Sequence, residues 1–224
     1  MNQPTFRITK TSDGSDTLYS EEMMESYHSL NGAVQESMHV FIEAGFNKLD
    51  KPLARIFEVG FGTGLNCLLT WREARRRKIN VEYESIEAFP ISKEIQDCLN
   101  YCEVVTELGP EAFQLLHDSN WNEWQTIEKD LFSLRKIKAD FTKYQLKSRY
   151  DLVYYDAFAP NKQPSLWEEE ILAKLYSAMN PGGILVTYCA MGEVRRRLQR
   201  LGFITERLPG PPGKREMLRA IKCA

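Results

Sequence analysis

The chain has 224 residues, enough for one domain with a sizeable buried core and modest additions. With 29 basic against 31 acidic residues its formal charge is −2, and with 43% hydrophobic and 27% charged residues its composition is that of an ordinary globular protein, which excludes a uniformly basic nucleic-acid coat but not a local basic face. No window approaches the roughly 20 apolar residues of a membrane span and the N-terminus, MNQPTFRITKTSDG, lacks the apolar run of a signal peptide, so the expectation is a cytoplasmic protein with no membrane partner.

In chain order, Phe6–Thr11 and Thr17–Tyr19 predict a small hairpin about Asp13-Gly14-Ser15, and a helix-prone stretch follows from Glu21 to about Ala44. Residues 1–50 are therefore expected to form an N-terminal hairpin-and-helix extension to a domain spanning residues 51–224. From residue 55 short β-branched runs alternate with helical stretches, the pattern of a parallel sheet with covering helices. Strands are expected at Arg55–Val59, Glu82–Glu87, Tyr150–Tyr155 and Gly183–Tyr188. Helices are expected at Asn66–Lys78, Ile91–Tyr101, Glu168–Met179 and Gly192–Leu201, the last stopped by Gly202. Between the second and third strands, Thr126–Lys129 and Phe132–Lys138 predict a hairpin leading into Ala139–Asp140. Phe203–Leu208 and Glu216–Lys222 flank the turn-rich Pro209-Gly210-Pro211-Pro212-Gly213 and predict a closing hairpin, so one strand must run antiparallel to the rest. The fold class is α/β, a doubly wound, mostly parallel, seven-stranded sheet.

Five cysteines, at 67, 98, 102, 189 and 223, are odd in number and scattered, which argues against a disulfide framework. Cys98 and Cys102 would share a helical face, but His28, His39 and His117 do not complete a zinc spacing, and no metal is expected.

The chemical signal is Glu58-Val59-Gly60-Phe61-Gly62-Thr63-Gly64-Leu65-Asn66, an apolar strand running into three alternate glycines with a helix opening behind them. Such glycines let a nucleotide-type cofactor lie close to the backbone and the helix N-terminus, although a steric strand-to-helix turn also needs glycine. Glu87 ends the next strand, where an acid accepts bonds from two ribose hydroxyls. Asp140 ends the third core strand, within reach of an adenine amino group. Each, taken alone, also suits a solvated loop carboxylate. The spacing is Gly-x-Gly-x-Gly and no lysine follows it, which disfavours a dinucleotide or a triphosphate. An adenosine cofactor without phosphate fits better, and S-adenosylmethionine is the expected one, with Glu58, Gly60, Gly62, Thr63, Gly64, Asn66, Glu87, Asp140 and Asp156 as candidate contacts.

Tyr150–Tyr155 is the fourth core strand and runs into Asp156-Ala157-Phe158-Ala159-Pro160. At this rim Asp156 is the candidate catalytic residue, beside the transferable methyl, with Phe158 and Pro160 shaping an acceptor pocket. A carboxylate there suits an amine, whose ammonium must lose a proton before it attacks. Aspartate also serves as a helix N-cap, and the two roles are compatible.

Taken with Tyr27-His28-Ser29, Asn31-Gly32-Ala33, Glu36-Ser37, Trp167, Gly202-Phe203 and Lys214-Arg215-Glu216-Met217, these motifs make nearly the whole chain resemble the methyltransferase component of the MnmC/MnmD-type family of tRNA 5-methylaminomethyl-2-thiouridine biosynthesis. The resemblance implies a Rossmann-like methyltransferase that converts 5-aminomethyl-(2-thio)uridine to its methylaminomethyl form at the wobble position, with the tRNA anticodon loop as partner. The bifunctional members carry a flavin-dependent half. This chain has no second glycine fingerprint, so a stand-alone enzyme is expected. The resemblance also puts Tyr27, His28 and Glu36 over the cofactor or acceptor, with His28 equally suited to a structural role.

RNA needs cationic groups near the acceptor mouth. Arg72, Arg75, Arg76, Arg77 and Lys78 form one cluster, which also suits a solvated helix face. Arg195, Arg196, Arg197 and Arg200 form a second, and Lys214 with Arg215 a third. Phe158 and Trp167 are candidates for stacking on unpaired bases, and both also suit a core. Two other classes stay open. One is a polyamine-type aminopropyltransferase, against which stand Thr63 in the loop and Ala157-Phe158-Ala159-Pro160 after Asp156. The other is a non-catalytic RNA-binding module, against which stand the intact glycines and acids.

Overall fold

The computed structural model describes residues 5–223; residues 1–4 and 224, the outermost ends of the two expected segments, lie outside it. An antiparallel sheet of three strands, β1 (Phe6–Lys10), β2 (Asp16–Ser20) and β3 (Glu25–Ser26), precedes a short helix α1 (Ala33–Ser37) that widens into a π-turn over Met38–Glu43. The main body then runs β4 (Leu53–Val59), α2 (Leu65–Arg77), β5 (Asn80–Glu87), α3 (Lys93–Gln96), α4 (Tyr101–Val104), α5 (Ala112–Asp118), β6 (Trp124–Glu128) and β7 (Phe132–Lys138). It closes with β8 (Tyr150–Tyr155), α6 (Glu169–Ala178), β9 (Met179–Thr187), α7 (Gly192–Arg200), β10 (Phe203–Pro209) and β11 (Glu216–Lys222).

The large sheet has eight strands in the order β10-β11-β9-β8-β4-β5-β7-β6, not seven. The additional edge is β6, the hairpin partner of β7, which at the edge opposite β10 adds a second antiparallel strand in addition to β11. From central β4 the chain steps one way to β5 and β7, then returns to β8 and β9 on the other side. That reversal opens a crevice at the carboxyl ends of β4 and β8. The strands are buried on both faces, and alternate residues divide between two cores. Ile56 and Tyr154 pack in one, with Leu18, Val40 and Phe41 of the N-terminal extension; Phe57, Val153 and Tyr155 pack in the other.

Two expected helices are interrupted. The stretch from Glu21 to Ala44 is helical only from Ala33. Before that, Met24 takes a positive φ of 48°, Glu25 and Ser26 pair with β2, and Gly32 turns at φ 140°. The helix start is capped from a distance, since Asp13 Oδ2 accepts the Gln35 N–H at 2.9 Å. The stretch Ile91–Tyr101 breaks between α3 and α4 because Asn100 is drawn into the N-terminal hairpin. Its amide donates to Gly14 O at 2.8 Å, and its Oδ1 accepts the Asp16 N–H at 2.8 Å. Cys98 and Cys102 therefore share no helical face. Among the described residues no helix is long and apolar enough to cross a membrane.

Candidate active site

The crevice is a cavity of about 800 Å³ between the carboxyl rim of the sheet and the N-terminal extension. Its floor is the turn from β4 into α2. Gly60 (φ 94°) closes on the neighbouring strand end, and a Cβ there would stand 2.8 Å from the Asp156 carbonyl oxygen. Gly62 (φ 52°) lies under the Tyr27 ring, which a Cβ would meet at 3.0 Å. Both positions keep the backbone bare toward the cavity.

The extension is latched onto this loop. His28 Nε2 lies 3.0 Å from Thr63 Oγ1, and the His28 N–H donates to Thr17 Oγ1 at 3.0 Å. Burial pushes the His28 imidazole down to about 4, so it is neutral near pH 7. Its contacts are those of a structural clasp. Tyr27 packs edge-on against Phe6 and Phe158, with centroids 5.7 and 5.1 Å away.

Glu87 accepts main-chain N–H bonds from Gly62 (3.1 Å) and Phe89 (2.8 Å), which fixes the loop while its remaining lone pairs stay available to the cavity. Burial raises its pKa, against the pull of those N–H groups. Asp140 stands at the cavity edge, its Oδ1 taking the Thr142 N–H at 2.9 Å and the Thr142 hydroxyl at 2.7 Å.

Asp156 is placed by the sheet, its N–H donating to Val59 O at 3.1 Å. Asn66, in the first turn of α2, donates from Nδ2 to Asp156 Oδ2 at 2.8 Å. Burial, then the neighbouring Glu36 carboxylate, push the Asp156 carboxyl up to about 7, against the pull of Asn66 and Lys214. Glu36 accepts the Ser29 N–H at 2.6 Å and Lys214 Nζ at 2.7 Å. The Lys214 ammonium also sits 3.8 Å from the centroid of the Tyr188 ring.

Of the sequence candidates, Tyr27, His28, Glu36, Gly60, Gly62, Thr63, Asn66, Glu87, Asp140, Asp156, Phe158 and Lys214 all line this cavity. The others do not. Glu58 is fully buried behind the loop against Ser85, and Gly64 starts α2 against Phe61 and His117. Trp167 is a core residue edge-on to Tyr155, and its Nε1 donates to Phe158 O at 2.8 Å, so it shapes the pocket through the main chain and offers no stacking face. Pro160, Arg195, Arg196 and Arg215 lie outside the lining. Arg196 pairs with Glu193 at 2.8 Å, and Arg215 is exposed on the loop after β10. In the first basic cluster Arg72, Arg75 and Arg76 are ion-paired with Glu107, Glu128 and the buried Glu73, so their charges are spent within the chain. Tyr188 and Glu25 line the cavity without having been singled out. Tyr188 ends a predicted strand, so the strand-end criterion that selected Asp156 would also have found it.

Carboxylates dominate the wall. Glu22, Glu25, Glu36, Glu87, Asp140, Asp156, Glu168 and Glu170 face a single lysine, Lys214. That acidic lining repels phosphate and fits a cationic, phosphate-free nucleoside, beside a turn in which Gly60 and Gly62 leave the backbone without side chains.

Residues 120–223 match a family of S-adenosyl-L-methionine-dependent methyltransferases. The chain is 31% identical over 214 residues to the tRNA 5-methylaminomethyl-2-thiouridine biosynthesis bifunctional protein MnmC of Leptospira interrogans, a match covering 90% of this chain and 33% of that protein. It thus spans about a third of the length of the curated relatives it matches. The crystal structure of MNMC2 from Aquifex aeolicus superposes with a TM-score of 0.81 at 26% identity, covering 98% of this chain and 70% of the other. Spermidine synthase from Thermotoga maritima shares the fold, with a TM-score of 0.59 at 12% identity over 99% of this chain and 70% of its own.

Proposed function

We propose that this chain, an S-adenosylmethionine-dependent methyltransferase with the architecture of the MnmC methyltransferase half, methylates the primary amine of 5-aminomethyl-(2-thio)uridine at the wobble position of cytoplasmic tRNA. The observation that carries the acceptor chemistry is Asp156, a carboxylate held at the cavity wall by the glycine-loop strand and by Asn66, with its proton affinity tuned close to neutrality. When bound, S-adenosylmethionine supplies an electrophilic methyl group. Gly60, Gly62 and Thr63 would face it through the loop, Glu87 would take the ribose hydroxyls, and Asp140 would serve the adenine end.

The remaining work belongs to the acceptor side. An alkylammonium cannot attack until a proton leaves. Asp156, its carboxyl raised to about 7, accepts that proton and passes it to solvent. As the carboxylate it then accepts a hydrogen bond from an N–H of the neutral amine, which leaves the nitrogen lone pair free. The same carboxylate stabilises the positive charge that develops on nitrogen as the new C–N bond forms. Tyr27 and Phe158 present an aromatic wall to the incoming base. Because the cavity is acidic, the base enters while its phosphates stay outside, where Arg195, Arg196 and Arg215 are the candidate contacts.

The test is methyl transfer from a labelled donor to tRNA from cells lacking this gene, followed by nucleoside analysis. Conversion of 5-aminomethyluridine to its methylated form is expected. Heat of S-adenosylhomocysteine binding with no label at the wobble position would overturn the acceptor, and absence of binding heat would overturn the cofactor site.

A further inference from the structure

Glu58, next to the last residue of β4, is fully buried and lines no part of the cavity, so the chemistry above leaves this carboxyl without a role. Its Oε2 accepts the Ser85 hydroxyl at 2.7 Å. Its Oε1 has no hydrogen-bond partner, and neither does Asn66 Oδ1 nor the Tyr83 hydroxyl, all buried and all grouped around the same carboxyl. Counting donors shows what is missing. If Glu58 is ionised, Tyr83 O–H can serve Glu58 Oε1, but nothing serves Asn66 Oδ1. A single proton on Glu58 supplies the absent donor and satisfies all three atoms.

We infer that Glu58 is a positioning residue for Asp156: in its neutral form it donates from Oε1 to Asn66 Oδ1 and so holds the Asn66 amide with Nδ2 toward Asp156. Asn66 is the only link needed, since its Nδ2 already donates to Asp156 Oδ2 at 2.8 Å. Burial and the nearby Asp156 carboxylate favour the neutral form, and they outweigh the Ser85, Asn66 and Tyr83 side chains, which favour the anion. Glu58 is faced by Ser85 and Tyr83 from β5, Cys67 and Asn66 from α2, Tyr154 from β8 and the Asp156 carboxylate, with no cation among them. Burial raises both carboxyls, Glu58 to about 8 and Asp156 to about 7, and the Asp156 charge further disfavours a second charge on Glu58. Around Asp156 the other charged or titratable groups are Glu36, Lys214 and Tyr188.

The catalytic meaning of this arrangement rests on the proposed amine methylation, but its test does not. Carboxyl ¹³C resonances of Asp156 and Glu58 are followed by NMR through a pH titration of the ligand-free chain, each assigned by its loss in Asp156→Asn or Glu58→Gln. Glu58→Gln keeps a donor toward Asn66 Oδ1 and should leave the Asp156 midpoint in place. Glu58→Leu removes the donor, frees the amide, and should move the midpoint up by about one pH unit, a tenfold change in proton affinity for one charge-assisted hydrogen bond. Should Glu58→Leu fail to fold, the wild-type Glu58 resonance decides, and it should still report a protonated carboxyl where Asp156 is already ionised. A lowered Asp156 midpoint in Glu58→Gln would mean that an anion had been removed, and it would overturn the inference. So would an unmoved midpoint in Glu58→Leu, or a Glu58 that ionises before Asp156. Failure of the tRNA assay with these titrations intact would sink the substrate assignment alone.

Discussion

The Asn66 amide donates to the Asp156 carboxylate at 2.8 Å and thereby joins the first turn of α2 to the end of β8. One end of this contact belongs to the helix behind the glycine loop, the other to the strand end that carries Asp156. The two strands that precede these residues, β4 and β8, are parallel neighbours at the centre of the sheet. The contact therefore ties the glycine loop to the carboxylate proposed to handle the amine.

Asp156→Asn should separate chemistry from binding. The amide keeps the shape but cannot take the proton of the ammonium, and turnover should fall by about 10²–10⁴-fold. S-adenosylhomocysteine affinity, measured by calorimetry, should change little, because Glu87 and the glycine loop are untouched. Asp156→Ala should behave alike. Equal loss of turnover and affinity would move Asp156 into the cofactor site.

Gly60→Ala should damage both stability and binding. Its φ of 94° is costly for any L-residue, and the new methyl would stand 2.8 Å from a backbone oxygen that cannot swing away. A loss of about 1–3 kcal/mol is expected from the backbone strain, read by denaturant unfolding. Wild-type stability together with wild-type S-adenosylhomocysteine binding would show that the loop has room the structure denies.

Much of this arrangement is legible in the chain. The parallel body is, because short segments rich in apolar and β-branched residues, bounded by turn residues, alternate with helical ones, and the rim acids follow from where those strands stop. What stayed hidden depends on distant partners. Asn100 breaks a helical stretch because Asp16, far away in sequence, offers it better hydrogen bonds. Glu58 reads as a cofactor contact within the glycine motif, but strand alternation turns it under the loop toward Ser85. Trp167 reads as a stacking platform until α6 and β8 enclose it. Local propensity and spacing carry no information about such tertiary choices.

Buried histidines and buried acids should bias stability in opposite directions as pH changes, over windows that overlap between 4.5 and 6.5. The folded His28 value is depressed to about 4 from 6.5, so the unfolded chain binds more protons between those values and stability is lost as pH drops through that window; His117, also lowered to about 4 by burial, adds to the loss. The folded Glu58 value is raised to about 8 from 4.5, so here the native state binds more protons and stability is lost as pH rises from 4.5 toward 8. Glu58→Gln should remove the second loss. Its melting temperature should exceed that of the wild type at pH 8, by the equivalent of a few kcal/mol at most, and the gain should vanish near pH 4.5. A gain independent of pH would mean that Glu58 does not titrate in this range.

The Lys214–Glu36 pair should set the acid limb of the reaction, and in opposite directions for its two members. Lys214 lowers the proton affinity of Asp156 and Glu36 raises it, while the two bind each other at 2.7 Å. Lys214→Met leaves Glu36 and Asp156 as uncompensated neighbours, so the acid midpoint of kcat/KM should move up. Glu36→Gln removes the repelling charge, and the midpoint should move down. In the double variant the two shifts should cancel in part and leave a smaller downward one, because Glu36 acts on Asp156 more strongly than Lys214 does, with a coupling of about 1 kcal/mol for a part-exposed pair. The amine substrate's own ionisation is common to all four proteins and drops out of the comparison. If both single variants move the midpoint the same way, the pair acts by holding the loop after β10 in place, and its charges do not reach Asp156.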